Sequence, residues 1–154
     1  MFRLLKRKLE DKRDSTQAQD KLWRIISETN LPFGPDYLKF KLGWGLEFAK
    51  MAIEEYRRFI FLVLISKKEV TPSQIVDEVW HYHILHTQAY QSFAKEIGKY
   101  IHHNPGTASE QPRFDNQYLK TLRFYTLVFN SQPPPLIWPG QDSSFCSGIL
   151  PKAA

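Results

Sequence analysis

Cysteine is almost absent from this chain: Cys146 is the only one in 154 residues. No intramolecular disulfide can form, so a reducing compartment, the cytoplasm, is the expected location. Long hydrophobic runs are missing too. The longest, Phe59 to Ile65, falls well short of the about 20 apolar residues a membrane-spanning helix requires. The opening MFRLLKRKLEDKRD is basic but has no apolar h-region, so it does not read as a secretory signal. There is no zinc-finger spacing, no RNP-type aromatic motif and no long Lys/Arg run in the body of the chain. With a formal net charge of only +5, nucleic acid is not an expected partner. Glycine is scarce at seven residues, and no internal repeat is visible.

The material that is present suits one helical domain. The chain is 42% hydrophobic and 14% aromatic, enough for a real core and far from a disordered composition. Residues 2 to 13 fit a short amphipathic helix, with Phe2, Leu5 and Leu9 opposite Lys and Arg. Such a helix either touches an acidic membrane surface or is a solvated terminus; Glu10, Asp11 and Asp14 dilute its charge and favour the terminus. Thr16 and Gln19 fit a capping box that opens a second helix, through about Thr29, carrying Leu22, Ile25 and Ile26. Leu31-Pro32-Phe33-Gly34-Pro35 breaks the chain, Asp36 caps a short helix through Leu42, and Gly43-Trp44-Gly45 interrupts it. Leu46, Ala49, Ile53, Tyr56, Ile60 and Val63 then mark one face of a helix whose end is apolar all round, as a core segment is.

After a polar loop, Thr71 at the cap, Pro72 at the first position and Gln74 at the third predict a helix reaching about Ile97, near Gly98. Residues 100 to 113 read as a loop with His102 and His103. A last helix covers Phe114 to Phe129, with Tyr118, Leu122, Tyr125 and Phe129 on one face, and Pro133-Pro134-Pro135 ends it. Residues 131 to 154 read as an extended tail, which Trp138 is placed to pin back. Cys146, in that tail, reads as a bystander, with no histidine close in sequence.

All five histidines lie between Thr71 and Pro105. At a helical pitch of about 100° per residue, Val76, Val79, Trp80, His83, Thr87, Tyr90, Ala94 and Ile97 share a face. His83 sits inside this apolar stripe and needs a partner there, because an unsatisfied buried polar group costs about 1–3 kcal/mol. Tyr56, Tyr118 and Tyr125 are the candidate hydroxyls. His81 points about 200° away from His83, so in an unbroken helix the two cannot share one ion. His81 instead shares a side with Asp77 and Gln88. Asp77 and His81 are four apart, the spacing of two ligands on one side of a metal-binding helix, and His102 or His103 supplies a third. A second set pairs His83 with His86. A mixed His/carboxylate set suits Zn or Fe, with no Cys cluster to favour zinc. The same residues also make sense without a metal, as a surface Asp/His pair and a hydrogen-bonded core histidine.

These residues carry a resemblance. VDEVWHYHILHTQAY followed by YIHHNP resembles the glycine-rich domain-containing protein-like family, a domain of unknown function. Val76, Asp77, Trp80, His81, His83, Leu85 and Tyr90 match its central pattern, and His102-His103 its downstream pair. Glu55-Tyr56-Arg57-Arg58-Phe59 resembles its Tyr-Arg-Arg-Phe helix, and Thr121 to Tyr125 with Pro133 to Pro139 its closing segment. His86 departs from the pattern, and Gly106-Thr107-Ala108-Ser109 replaces a Lys-Gly-Gly stretch of bacterial relatives. The resemblance implies an all-helical domain with its site at Trp-His-x-His, and no established reaction.

The expectation is therefore an all-α bundle of about four helices. It has a basic segment over 1–15, a helical domain over 16–130 and a Pro-rich tail over 131–154, with the Thr71–Ile97 helix central. Two functions stand side by side. One is a binding or scaffold module for a protein partner, with Trp80, His83, Tyr90 and Tyr56 as its buried polar core. The other is a Zn or Fe site at Asp77, His81 and His102 or His103, hydrolytic in one version.

Overall fold

A computed structural model describes residues 2–104 and 111–140, and among these all side chains but those at 2, 3, 5, 9, 111 and 112. The side chains of Phe2, Leu5 and Leu9, the Gly106–Ser109 stretch and Cys146 lie outside the described residues. The described residues form six helices and no strand: α1 (Phe2–Glu28), α2 (Pro35–Leu42), α3 (Leu46–Ile65), α4 (Gln74–Leu85), α5 (Thr87–Ile97) and α6 (Gln111–Phe129). The all-α expectation holds, with two differences in how the chain is divided.

The first is at the start. One continuous helix replaces the expected two, and Thr16 is not a cap: its hydroxyl donates back to the Lys12 carbonyl at 2.9 Å, inside the helix. The second is at His86. The single helix expected from Thr71 to Ile97 is two, and its cap is Ser73, whose Oγ accepts the Val76 N–H at 3.2 Å. Thr71 stays outside, as a residue before proline favours, and its N–H binds Thr121 Oγ1 of α6 at 3.0 Å.

The break has a local cause. His86 Nδ1 donates to the Tyr82 carbonyl at 2.7 Å, the acceptor that the His86 backbone N–H would use in a continuing helix. The N–H turns to the His83 carbonyl instead, at 3.2 Å, and ψ at His86 opens to 67°. The expected stripe is interrupted there and loses Thr87, while Tyr90 and Ala94 remain buried. Thr87 and Gln88, on the far side of the break, are exposed, and Phe93 is the third buried residue of α5.

The hub is α3, not the histidine-bearing segment: α3 packs against α1, α2, α4 and α6. Its apolar end explains the placement, and Glu55-Tyr56-Arg57-Arg58-Phe59 explains how it holds its neighbours. Between them these side chains reach α1, α4, α6 and the tail. Buried Glu55 accepts the Trp138 indole N–H at 2.9 Å, pinning the tail as expected. Tyr56 reaches His83 of α4, and Arg58 donates to the Tyr125 hydroxyl of α6 at 2.7 Å. Phe59 packs on Trp80, with ring centroids 5.2 Å apart. Arg57 donates to the carbonyls of Ile26 and of Thr29, the latter at 2.9 Å. These are orphan acceptors at the carboxyl end of α1. Arg57→Ala is expected to destabilise the fold by about 1.5–3 kcal/mol, the range for bonds to a charged group, read as a lower urea midpoint.

Candidate functional site

The two imidazoles of Trp80-His81-Tyr82-His83 leave α4 in opposite directions, as the helical pitch requires. His83 is 1% exposed, whereas the His81 side chain is 46% exposed. They serve different surroundings and share no point.

On the inner side, the Tyr56 hydroxyl lies 2.7 Å from His83 Nδ1. Of the three candidate hydroxyls this is the one that reaches the ring; those of Tyr118 and Tyr125 are engaged by the Pro139 carbonyl and by Arg58. Burial holds the Tyr56 phenol protonated, so its O–H donates and Nδ1 accepts. Burial, with smaller contributions from His86 and Arg57, lowers the His83 pKa from 6.5 to about 4, so the ring is neutral at pH 7. Tyr90 and Phe93 pack on the ring at centroid distances of 5.0 and 5.1 Å. His86 is engaged elsewhere. It is spent on the Tyr82 carbonyl and packs on Phe33 and Tyr37.

On the outer side, Asp77 stands between two histidines. His103 Nε2 donates to Asp77 Oδ1 at 2.7 Å, and His81 Nδ1 lies 3.4 Å from Asp77 Oδ2. One ligand atom from each of the three falls within 4.8 Å of the others. The His81 and His103 rings approach to 4.4 Å. Of the two loop histidines, His103 joins this group; His102 is exposed and packs on Tyr100, 4.8 Å between centroids. Helix α4 carries Asp77 and His81, and the segment after α5 carries His103.

What places His103 is a chain of hydrogen bonds invisible in a motif. The Trp80 indole N–H donates to the Tyr90 hydroxyl at 3.0 Å, and that hydroxyl donates to the Ile101 carbonyl at 2.6 Å. Tyr90 thus ties α5 to the backbone two residues before His103, and the Trp80 ring meets the His103 ring at 4.6 Å. Trp80, Tyr90 and Ile101 are all buried. Burial also raises the Tyr90 pKa, keeping its proton available for the Ile101 carbonyl.

The Asp77, His81 and His103 side chains line a cleft of about 750 Å³ between the start of α4, the end of α3, the 101–104 segment and α6. Phe59, Val63, Val70, Trp80 and Phe114 supply apolar wall. Glu69 stands at the rim, held by Arg113 at 2.7 Å and Gln117 at 2.8 Å. Phe114 and Glu69 carried no signal in the sequence, since they come from other elements and only the fold brings them here. A carboxylate and two imidazoles in a cleft wall can hold a divalent ion, or, without one, form a proton-sharing polar cluster.

A family model described as UCP032817-like matches residues 46–130, more than half of the chain. The chain belongs to that family, which is uncharacterised, in keeping with the expected domain of unknown function; the glycine-rich name is not the one the match carries. The matched stretch runs from the start of α3 to the end of α6 and contains all five histidines, with Asp77, Tyr56 and Tyr90. No curated protein and no solved structure matches the chain. No helix among the described residues is long and apolar enough to cross a membrane.

Proposed function

We propose that this member of the UCP032817-like family binds one divalent transition-metal ion through Asp77, His81 and His103, with the remaining coordination positions open to the cleft. One observation carries the reading: three ligand atoms of the appropriate types, from a helix and a separate loop, lie within 4.8 Å of one another. Two histidines and one carboxylate with open positions are a donor set used by Zn(II) hydrolytic sites and by non-haem Fe(II) sites. Held by Asp77, His81 and His103, such an ion would supply Lewis acidity and lower the pKa of water at its open positions, which is the basis of the hydrolytic version. The Trp-His-x-His resemblance implies a site on the same helix and so supports the reading.

The hydrogen bonds buried behind α4 support a second role for the other half of the motif. Tyr56 and His83, and Trp80, Tyr90 and Ile101, form satisfied buried pairs that fix α4 and α5. In that role they are the scaffold on which the outer site, or a protein-binding surface, is carried.

Untagged protein stripped with chelator and titrated with Co(II) tests the metal reading. Saturable uptake of one ion per chain, with d–d absorption that Zn(II) displaces and an increased melting temperature, is the expected result. No uptake above a surface-exchanged background would reduce the Asp77/His103 contact to a structural pair.

A further inference from the structure

The chemistry of the cleft walls restricts what can bind beside the ion. Among the described residues lining it there is no lysine or arginine. Among the described lining residues, the ionisable groups outside the Asp77/His81/His103 set are His102 and Glu69, a carboxylate already held by Arg113 and Gln117. A phosphate-rich ligand would meet, among the described lining residues, neither the forked arginine contacts nor the lysine charge that many phosphate sites use. Val63, Val70 and Phe114 are partly exposed and face the same space, with Trp80 behind them. Thr71, Gln74 and Asn104 add uncharged polar groups to the wall. The volume of about 750 Å³ is that of a small-molecule site.

We infer that the cleft takes a small apolar acyl compound, a carboxylic acid or its ester or amide, whose acyl oxygen reaches the ion while its hydrocarbon body lies on Val63, Val70 and Phe114. This rests on the metal reading above. The head supplies the one strong polar contact, and the body adds about fourfold in affinity for each methylene removed from water.

Hydroxamates are suitable probes, because the same metal-ligating head is available with and without an apolar body. The full chain is loaded with Co(II) and titrated with acetohydroxamate, with 4-phenylbutanohydroxamate and with inorganic phosphate, reading the visible spectrum of the ion. The expected order is a phenylbutano compound at least about tenfold tighter than acetohydroxamate, with phosphate weakest. Phe114→Ala is expected to reduce that ratio severalfold. Equal Kd values for the two hydroxamates, or phosphate binding tighter than either, overturn the inference while leaving the metal site standing. A chain that takes up no Co(II), seen before any hydroxamate is added, overturns the metal reading and this inference with it.

Discussion

Lowering the pH from 7 to 4 is expected to remove about 3 kcal/mol of folding free energy through His83 alone. The ring is neutral and buried in the native state, with its pKa lowered from 6.5 to about 4 by desolvation first, then by His86 and Arg57. The unfolded chain carries an ordinary imidazole that binds a proton below about pH 6.5. Between those two values the unfolded state holds a proton that the folded state refuses, so stability falls as pH falls. The contribution is fully present above pH 6.5 and gone near pH 4. The groups facing the ring are Tyr56, Tyr90, His86 and Arg57, and none of them is an acid that would compensate the incoming charge. Urea unfolding at steps between pH 7 and 4.5, with chelator present, measures the slope.

A double-mutant cycle separates this from the carboxylates that titrate at the lower end. His83→Leu leaves the Tyr56 hydroxyl buried without an acceptor and is expected to cost about 1–3 kcal/mol at pH 7. Adding Tyr56→Phe removes the orphaned hydroxyl and is expected to recover much of that loss, because replacing both partners by apolar groups of similar shape is close to neutral. In the double variant the pH slope between 6.5 and 4.5 should flatten. A slope identical to that of the unaltered protein would place the acid sensitivity elsewhere.

The direction of each imidazole was legible in the sequence because it depends only on helical pitch. Two residues on one unbroken helix, two positions apart, cannot face the same way, and α4 is unbroken from Gln74 to Leu85. Tyr56 as the partner of His83 was legible as one of three tyrosines, and the packing of α3 on α4 selected it. The break at His86 was not, because it is made by a side chain capturing its own helix's carbonyl, an event with no periodic signature. Nor was the choice of His103 over His102. It depends on Tyr90 holding the backbone carbonyl of Ile101, and a backbone acceptor leaves no mark in a string of residue names. The prominence of the histidines also drew the expected centre of the fold to their helix. The physical centre is α3, where five successive side chains, Glu55 to Phe59, hold α1, α4, α6 and the tail.

Removing Asp77 is expected to weaken metal binding by more than about a hundredfold, and removing one buried hydroxyl, in Tyr90→Phe, by about ten- to a hundredfold. The first change deletes a ligand, and Asp77 is also the atom pair through which His81 and His103 are held together. The second touches no ligand at all. Tyr90 acts on His103 through the Ile101 carbonyl and on Trp80 through the indole N–H, so its loss frees the segment that delivers His103 while the ring still fills its place in the core. That makes Tyr90 a positioning residue, and two readouts distinguish this role from general weakening of the fold. The Co(II) absorption of Tyr90→Phe should lose intensity or shift as one imidazole is no longer held, and affinity should fall by more than the change in apo-protein stability explains. Because the Ile101 carbonyl and Trp80 N–H lose one partner each, some stability loss, about 1–3 kcal/mol, accompanies it. His102→Ala serves as the comparison: His102 is exposed, packs on Tyr100 and joins neither pair, so both affinity and spectrum should stay as they are. If His102→Ala erased Co(II) binding and His103→Ala did not, the loop would have to turn the other imidazole inward, and the route from Tyr90 to the ion would be wrong.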